Sequence, residues 1–295
     1  MQPFSDRLAD VVATLGPACV GLDPHLGRLP LPLKRSFSNL SGLALREAAA
    51  QATTTFCLGT LSALQGTVGI VKPQVALFEA LGSPGFAALE QVVAAARSQG
   101  MLVIADAKRG DIGSTAEAYA RAFLDPDGLD ADALTLSPYL GPESLQPFLA
   151  RVEQGKGLFI LVRTSNPGAE AWQLGAEPTI ASRVAAWIEQ QNAGARGACG
   201  LGSVGAVVGA TLGQEAATLR ATMPGAWFLA PGFGAQGAGN EALRHQLRPD
   251  GLGCVAVSAR AVLFPSTGSD DQGWQQEIAG RAQVFADATK AIARL

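Results

Sequence analysis

Asp106, Lys108, Arg109 and Asp111 fall within six consecutive residues, directly after the apolar run Val103-Ile104-Ala105. Carboxylates and ammonium groups packed this closely can move protons or stabilise charge in a substrate, or they can simply pair with one another on a wet surface. The apolar run predicts a short buried strand, with Gly110 and Gly113 as loop hinges. Ser114, followed three residues on by Glu117, has the spacing of a capping box that opens a helix. The charges are therefore expected where a strand ends, and in α/β sheets the carboxyl ends of parallel strands are where ligands bind and chemistry is done.

Two more charges stand in similar places. Asp23 closes the run Gly21-Leu22-Asp23 before Pro24, and Lys72 closes Ile70-Val71-Lys72 before Pro73. Proline biases its predecessor toward extended backbone, which would aim both side chains along a strand direction. Asp23, Asp106 and Asp111 with Lys72 and Lys108 then make three carboxylates and two ammonium groups at neighbouring strand ends. A surface ion-pair network is the plainer reading. Against it, only 16% of the chain is charged, so such a concentration at adjacent strand ends is hard to ascribe to solvation.

A lysine held between carboxylates has its charged form favoured, so it suits proton donation. A Schiff-base aldolase would need that lysine neutral. Of the two histidines, His245 is expected on the surface of an outer helix, and His25 lies near the site without an obvious partner.

Elsewhere the chain reads as a phosphate site. The run Ala230-Pro231-Gly232-Phe233-Gly234-Ala235-Gln236-Gly237 follows a seventh strand, and Ser258-Ala259-Arg260 ends an eighth. Loops in these positions present backbone N–H groups to phosphate in barrel enzymes, and Arg260 adds a planar donor fork. Glycine here is also ordinary turn chemistry; location and Arg260 together favour phosphate. The fifth strand ends in Arg163-Thr164-Ser165-Asn166-Pro167-Gly168, able to hydrogen-bond an amide-like ring edge or to form a plain Ser/Thr turn.

The elements that must position these groups alternate. Strands are expected at Ala18–Leu22, Thr67–Val71, Leu102–Ala105, Ala133–Leu136, Leu158–Val162, Val204–Ala210, Trp227–Ala230 and Cys254–Val257. Helical patterns lie near Leu40–Ala63, Gly85–Ser98, Thr115–Phe123, Pro142–Val152, Thr179–Gln191, Gln214–Ala221, Asn240–Leu247 and Gln275–Leu295. Eight strand-then-helix units predict a (β/α)8 TIM barrel forming a single domain over residues 1–295. His25 to Asn39 is longer and more basic than a tight loop needs, a lid or a surface detour.

Hydrophobic residues make up 48% of the chain and the net charge is -3, with no basic block, so a nucleic-acid footprint is absent. No apolar run approaches the ~20 residues of a membrane span. The amino terminus lacks the basic-then-apolar order of a signal peptide. The four cysteines, Cys19, Cys57, Cys199 and Cys254, form no C-x-x-C pair and read as buried thiols of a cytoplasmic protein.

Asp106-Ala107-Lys108-Arg109-Gly110-Asp111-Ile112 resembles the D-x-K-x-x-D-I signature of the orotidine 5'-phosphate decarboxylase family. Gly21-Leu22-Asp23, Val71-Lys72-Pro73, Thr164-Ser165-Asn166-Pro167-Gly168, Pro231-Gly232-Phe233-Gly234-Ala235-Gln236 and Ser258-Ala259-Arg260 agree in order, and the length resembles the longer bacterial branch. The resemblance implies decarboxylation of orotidine 5'-monophosphate to uridine 5'-monophosphate, without metal or organic cofactor. Lys108 would protonate C6 of the pyrimidine, and Asp106 would lie against the substrate carboxylate. Asp111 and Thr115 would reach into the partner's site in a homodimer. Asp23 and Lys72 would hold ribose hydroxyls. Ser165, with Thr164 as its alternative, would bond the pyrimidine; Gln236, Arg260 and the Gly234 loop would hold phosphate.

The nearest rival is an Mg2+-dependent sugar-acid phosphate decarboxylase sharing D-x-K-x-x-D; Gln236 and the R-G-D-I continuation favour the nucleotide. A second is a non-catalytic phospho-ligand barrel, against which the intact charge array speaks.

Overall fold

The computed structural model describes residues 2–175, 177–233, 240–264 and 273–293. Eight parallel strands close into a barrel in chain order: β1 (Ala18–Leu22), β2 (Ile70–Pro73), β3 (Leu102–Arg109), β4 (Ala133–Leu136), β5 (Gly157–Arg163), β6 (Val204–Val208), β7 (Phe228–Pro231) and β8 (Cys254–Ser258). Closure is made by β1 against β8, with Ala18 opposite Ala256 and Val20 opposite Ser258. The predicted (β/α)8 barrel is the observed fold.

Because side chains alternate along a strand, each strand divides between two cores. Val20, Val71, Val103, Leu134, Ile160 and Ala256 face outward into one hydrophobic cluster with the surrounding helices. Cys19, Ile70, Leu102, Ile104, Phe159, Val207, Leu229 and Val257 face inward into a second. A helix that the sequence reading did not anticipate, Phe4–Leu15, closes the amino end of the barrel, and its Phe4, Leu8 and Val12 complete the inner cluster. Phe4 meets the Phe159 ring edge-on at 6.1 Å between centroids. Gly157 makes that approach possible, since a Cβ there would stand 2.2 Å from the Phe4 ring.

The alternation continues past the apolar layers and determines the site. Inward positions that are apolar at the amino end become Asp23 after β1, Lys72 on β2, Asp106 and Lys108 on β3, and Thr135 on β4. On the opposite half they remain apolar: Leu161, Val207, Leu229 and Val257.

Four expectations need correction. β2 begins later than read and includes Lys72 and Pro73, because Thr67 and Val68 complete the turn of the preceding helix through bonds to the Leu64 carbonyl. β3 runs on to Arg109, so Asp106 and Lys108 belong to the strand itself. The helix Gly113–Leu124 starts one residue before Ser114, with Ile112 as its N-cap and no side-chain cap. Gly113, at φ 53°, admits the chain to the helix early, leaving Ser114 inside the first turn. His245 lies beyond its helix, which ends at Arg244, and is half-buried.

Candidate active site

A pocket of about 410 Å3 opens at the carboxyl ends of the strands. Its centre is the Asp106 carboxylate. Oδ1 accepts from Lys108 Nζ at 2.5 Å and from the Thr135 hydroxyl at 3.0 Å. Oδ2 accepts from Lys72 Nζ at 2.5 Å and from Gln74 Nε2 at 3.0 Å. An ionised carboxylate offers about four acceptor positions, and here each oxygen has two donors.

Electrostatics follow from this geometry. Burial pushes Asp106 upward, but the Lys72 and Lys108 ammonium groups beside it outweigh that and hold it well below the usual carboxylate range. Burial pulls Lys72 down; Asp106 and Asp23 override it, and its ammonium is held above the ordinary lysine value. Asp23 goes the other way, raised chiefly by burial although Lys72 opposes it. Its Oδ1 is buried without a hydrogen-bond partner, and the residue lines the pocket.

Lys108 is also unusual in its backbone. Its φ is 49°, in the left-handed region that lysine rarely occupies. The pairing of β3 with β4 shifts register between Ala105 and Arg109, so Lys108 sits in a bulge. Such strain persists where surrounding contacts over-determine it, commonly at functional sites.

Ser165, after β5, and Arg260, after β8, also line the pocket. Thr164 also lines it, but its hydroxyl is engaged with Asn166 and Gln173. Ser165 has no such side-chain bond, and the absence of a Cβ at Gly209, which would approach it to 3.0 Å, leaves it room. Arg163 is structural: buried, with Nε donating to Glu215 at 2.6 Å. His25 is exposed at the rim, 6.4 Å from the Phe264 ring. In the long segment after β1, Leu26–Arg28 forms a short turn and Leu31–Arg35 a short helix.

Asp111 and Thr115 are not among the pocket-lining residues. The Asp111 carboxylate accepts from the Ile112 backbone at 2.8 Å, and Thr115 is exposed. Gly234 and Gln236 lie outside the described residues. Among the described residues, no three His, Cys, Asp or Glu side chains gather as a metal site would require. The cysteines are free, and burial pushes the Cys19 and Cys254 thiols up to about 12.

Two residues of this site escaped the sequence reading. Thr135 sits two positions beyond inward-facing Ala133, so alternation could have identified it. Gln74 directly follows Lys72-Pro73 and is bridged to Asp106 along the backbone.

A closed parallel barrel with a buried lysine–aspartate array at the carboxyl ends of its strands defines a (β/α)8 protein with a ligand pocket in the position where barrel enzymes hold their substrates. The model of the orotidine 5'-phosphate decarboxylase / HUMPS family matches residues 18–263, and the chain belongs to that family. It is 41% identical over 293 residues to an orotidine 5'-phosphate decarboxylase of Rhodopirellula baltica, covering 94% of this chain and 96% of that one. With the Salinispora tropica enzyme of the same name it shares 45% over 249 residues, 83% of this chain and 84% of the relative. Among solved structures, Leishmania donovani OMP decarboxylase superposes with a TM-score of 0.73 at 31% identity, covering 97% of this chain and 99% of that one.

Proposed function

We propose that this protein, working as one barrel domain over residues 1–295, decarboxylates orotidine 5'-monophosphate to uridine 5'-monophosphate, the last step of de novo pyrimidine nucleotide synthesis. The observation that carries the reading is the Asp106 carboxylate bracketed at 2.5 Å by Lys72 and Lys108 in a pocket at the strand ends.

In the reaction the bond between C6 and the carboxyl carbon breaks, CO2 leaves, and the electron pair remaining on C6 takes a proton from the Lys108 ammonium. The carbanion gains little from delocalisation, so rate must come from charge placed in advance and a donor at the same carbon. Lys108 supplies both. Asp106 lies against the substrate carboxylate and, with both oxygens held, cannot turn away as that negative charge approaches. Lys72 neutralises it and, with Asp23 at the pocket wall, takes ribose hydroxyls. Ser165, its hydroxyl free where that of Thr164 is not, bonds the pyrimidine edge. Arg260, with Gln236 and the Gly234 loop, grips the phosphate. This distant grip supplies binding energy that holds the ring in place. Each ammonium already has its carboxylate, so the chemistry calls for neither metal nor organic cofactor.

The protein acts as a homodimer in which Asp111 and Thr115 complete the partner's site. Their position outside their own chain's pocket supports this. So do exposed apolar side chains on the segments after β3 to β5, notably Ile112, Tyr139 and, in the short helix Ala169–Gln173, Trp172. Tyr139 and Trp172 pack edge-on, an aromatic surface suited to a second copy. Among the described residues no helix is long and apolar enough to cross a membrane. With four free thiols, of which Cys19, Cys57 and Cys254 are buried and Cys199 half-buried, a cytoplasmic location is the natural one, and no nucleic-acid partner is invoked.

The test is the loss of orotidylate absorbance on adding purified protein in buffer containing EDTA. Turnover is expected; loss of activity on chelation would point instead to the Mg2+-dependent sugar-acid phosphate chemistry, and no turnover at all to a binding barrel.

A further inference from the structure

We infer that Thr135 is a positioning residue for the proton-transfer step, its single hydroxyl fixing both the Asp106 carboxylate and the strained backbone of Lys108. The inference rests on the decarboxylase reading and adds a residue to it.

In the bulge of β3, the Lys108 N–H has lost the regular ladder partner that β4 would offer. An N–H left unpaired beside a buried strand is costly, and the structure meets that cost with a side chain: in a part-buried bond, Lys108 N donates to Thr135 Oγ1 at 3.0 Å. The same oxygen donates its proton to Asp106 Oδ1, also at 3.0 Å. A threonine hydroxyl has one proton, and with the amide occupying an acceptor lobe that proton is committed to Asp106. The arrangement is therefore polar in one sense only and suits an ionised Asp106.

The consequence concerns geometry. Lys108 Nζ and Thr135 Oγ1 share Asp106 Oδ1, while Oγ1 also holds the Lys108 main chain. Backbone, ammonium and carboxylate thus form a closed ring of contacts around one oxygen. Removing the hydroxyl frees Lys108 to relax its positive φ and swing Nζ from its set position, while Lys72 and Gln74 still hold the other carboxylate oxygen. Thr135 is 1% exposed, so water has little access to replace it. Since a proton donor misplaced by ~1 Å can cost two orders of magnitude, the loss belongs to the chemical step. The ribose and phosphate contacts are on other strands.

The experiment compares Thr135→Val and Thr135→Ser with wild type, measuring kcat and KM for orotidylate, uridylate affinity and Tm. Thr135→Val is expected to lower kcat about 10–100-fold, the range for a lost hydrogen bond to a charged group, with KM and uridylate binding within a few-fold. Thr135→Ser, which restores the hydroxyl without the methyl, is expected to recover most of that loss. Unchanged kcat in folded Thr135→Val overturns the inference, as does a parallel loss of uridylate affinity. A kcat in Thr135→Ser about tenfold or more below wild type also overturns it, and this arm decides the matter should the valine variant not fold. Wild-type turnover measured alongside separates these outcomes from failure of the decarboxylase reading itself.

Discussion

Lys72 Nζ stands 2.5 Å from Asp106 Oδ2, with the lysine side chain 6% and the aspartate 9% exposed, so one buried charge balances another. Breaking such a pair leaves an uncompensated charge, which costs about 3–5 kcal/mol. Asp106→Asn is therefore expected to lose stability of that order in urea unfolding at pH 7. The pH dependence has a definite sign. Asp106 is held below the ordinary carboxylate value, so its contribution is complete above the unfolded pKa of about 3.9 and is lost as pH falls toward its lower folded value. The gap between wild type and variant should stay level from pH 7 to about 5 and narrow below about 4. A gap that widens in acid would mean that the pair does not stabilise the ionised form.

Arg260 lines the pocket from the start of the helix Arg260–Leu263, after β8, the strand that neighbours β1 in the closed barrel. Arg260→Ala should weaken binding of uridylate by about 2–4 kcal/mol, the scale of a charge-assisted bidentate contact cut in a closed site. Uridine, lacking the phosphate, should bind both proteins alike. Equal losses for nucleotide and nucleoside in a titration would place the phosphate elsewhere.

Asp111 follows Lys108 by three residues yet does not line its own chain's pocket. If each site takes Lys108 from one chain and Asp111 from the other, Lys108→Ala and Asp111→Ala homodimers are both nearly inactive. Unfolded and refolded together, about half the dimers are mixed and one site in each is intact, so activity should return to roughly a quarter of wild type. Background activity with mixed dimers confirmed by mass spectrometry would assign Asp111 to its own chain.

Alternating apolar runs located all eight strands, two of them, Ala18–Leu22 and Ala133–Leu136, to the residue. Buried parallel strands read well because both faces are apolar. The helix Phe4–Leu15 was missed because it precedes the repeating unit and packs across the barrel floor, a tertiary relationship that local pattern does not carry. Charge spacing brought out Asp23, Lys72, Asp106 and Lys108, since lone charges at apolar strand ends are conspicuous. Thr135 was not conspicuous, because threonine in an apolar strand is simply a good strand former. The left-handed backbone at Lys108 was invisible for a different reason: local preference would put glycine or asparagine there, and only the contacts around Asp106 hold a lysine in it.

The central claim is that Lys108 delivers the proton to the carbon that loses CO2. Its ammonium, fixed 2.5 Å from Asp106 Oδ1, faces the pocket, while the ribose and phosphate contacts are assigned to other residues. The direct measurement is orotidylate turnover by purified Lys108→Ala, with uridylate binding followed in the same preparation. The account predicts decarboxylation at background level with uridylate still bound. Near-wild-type turnover by that variant would contradict it.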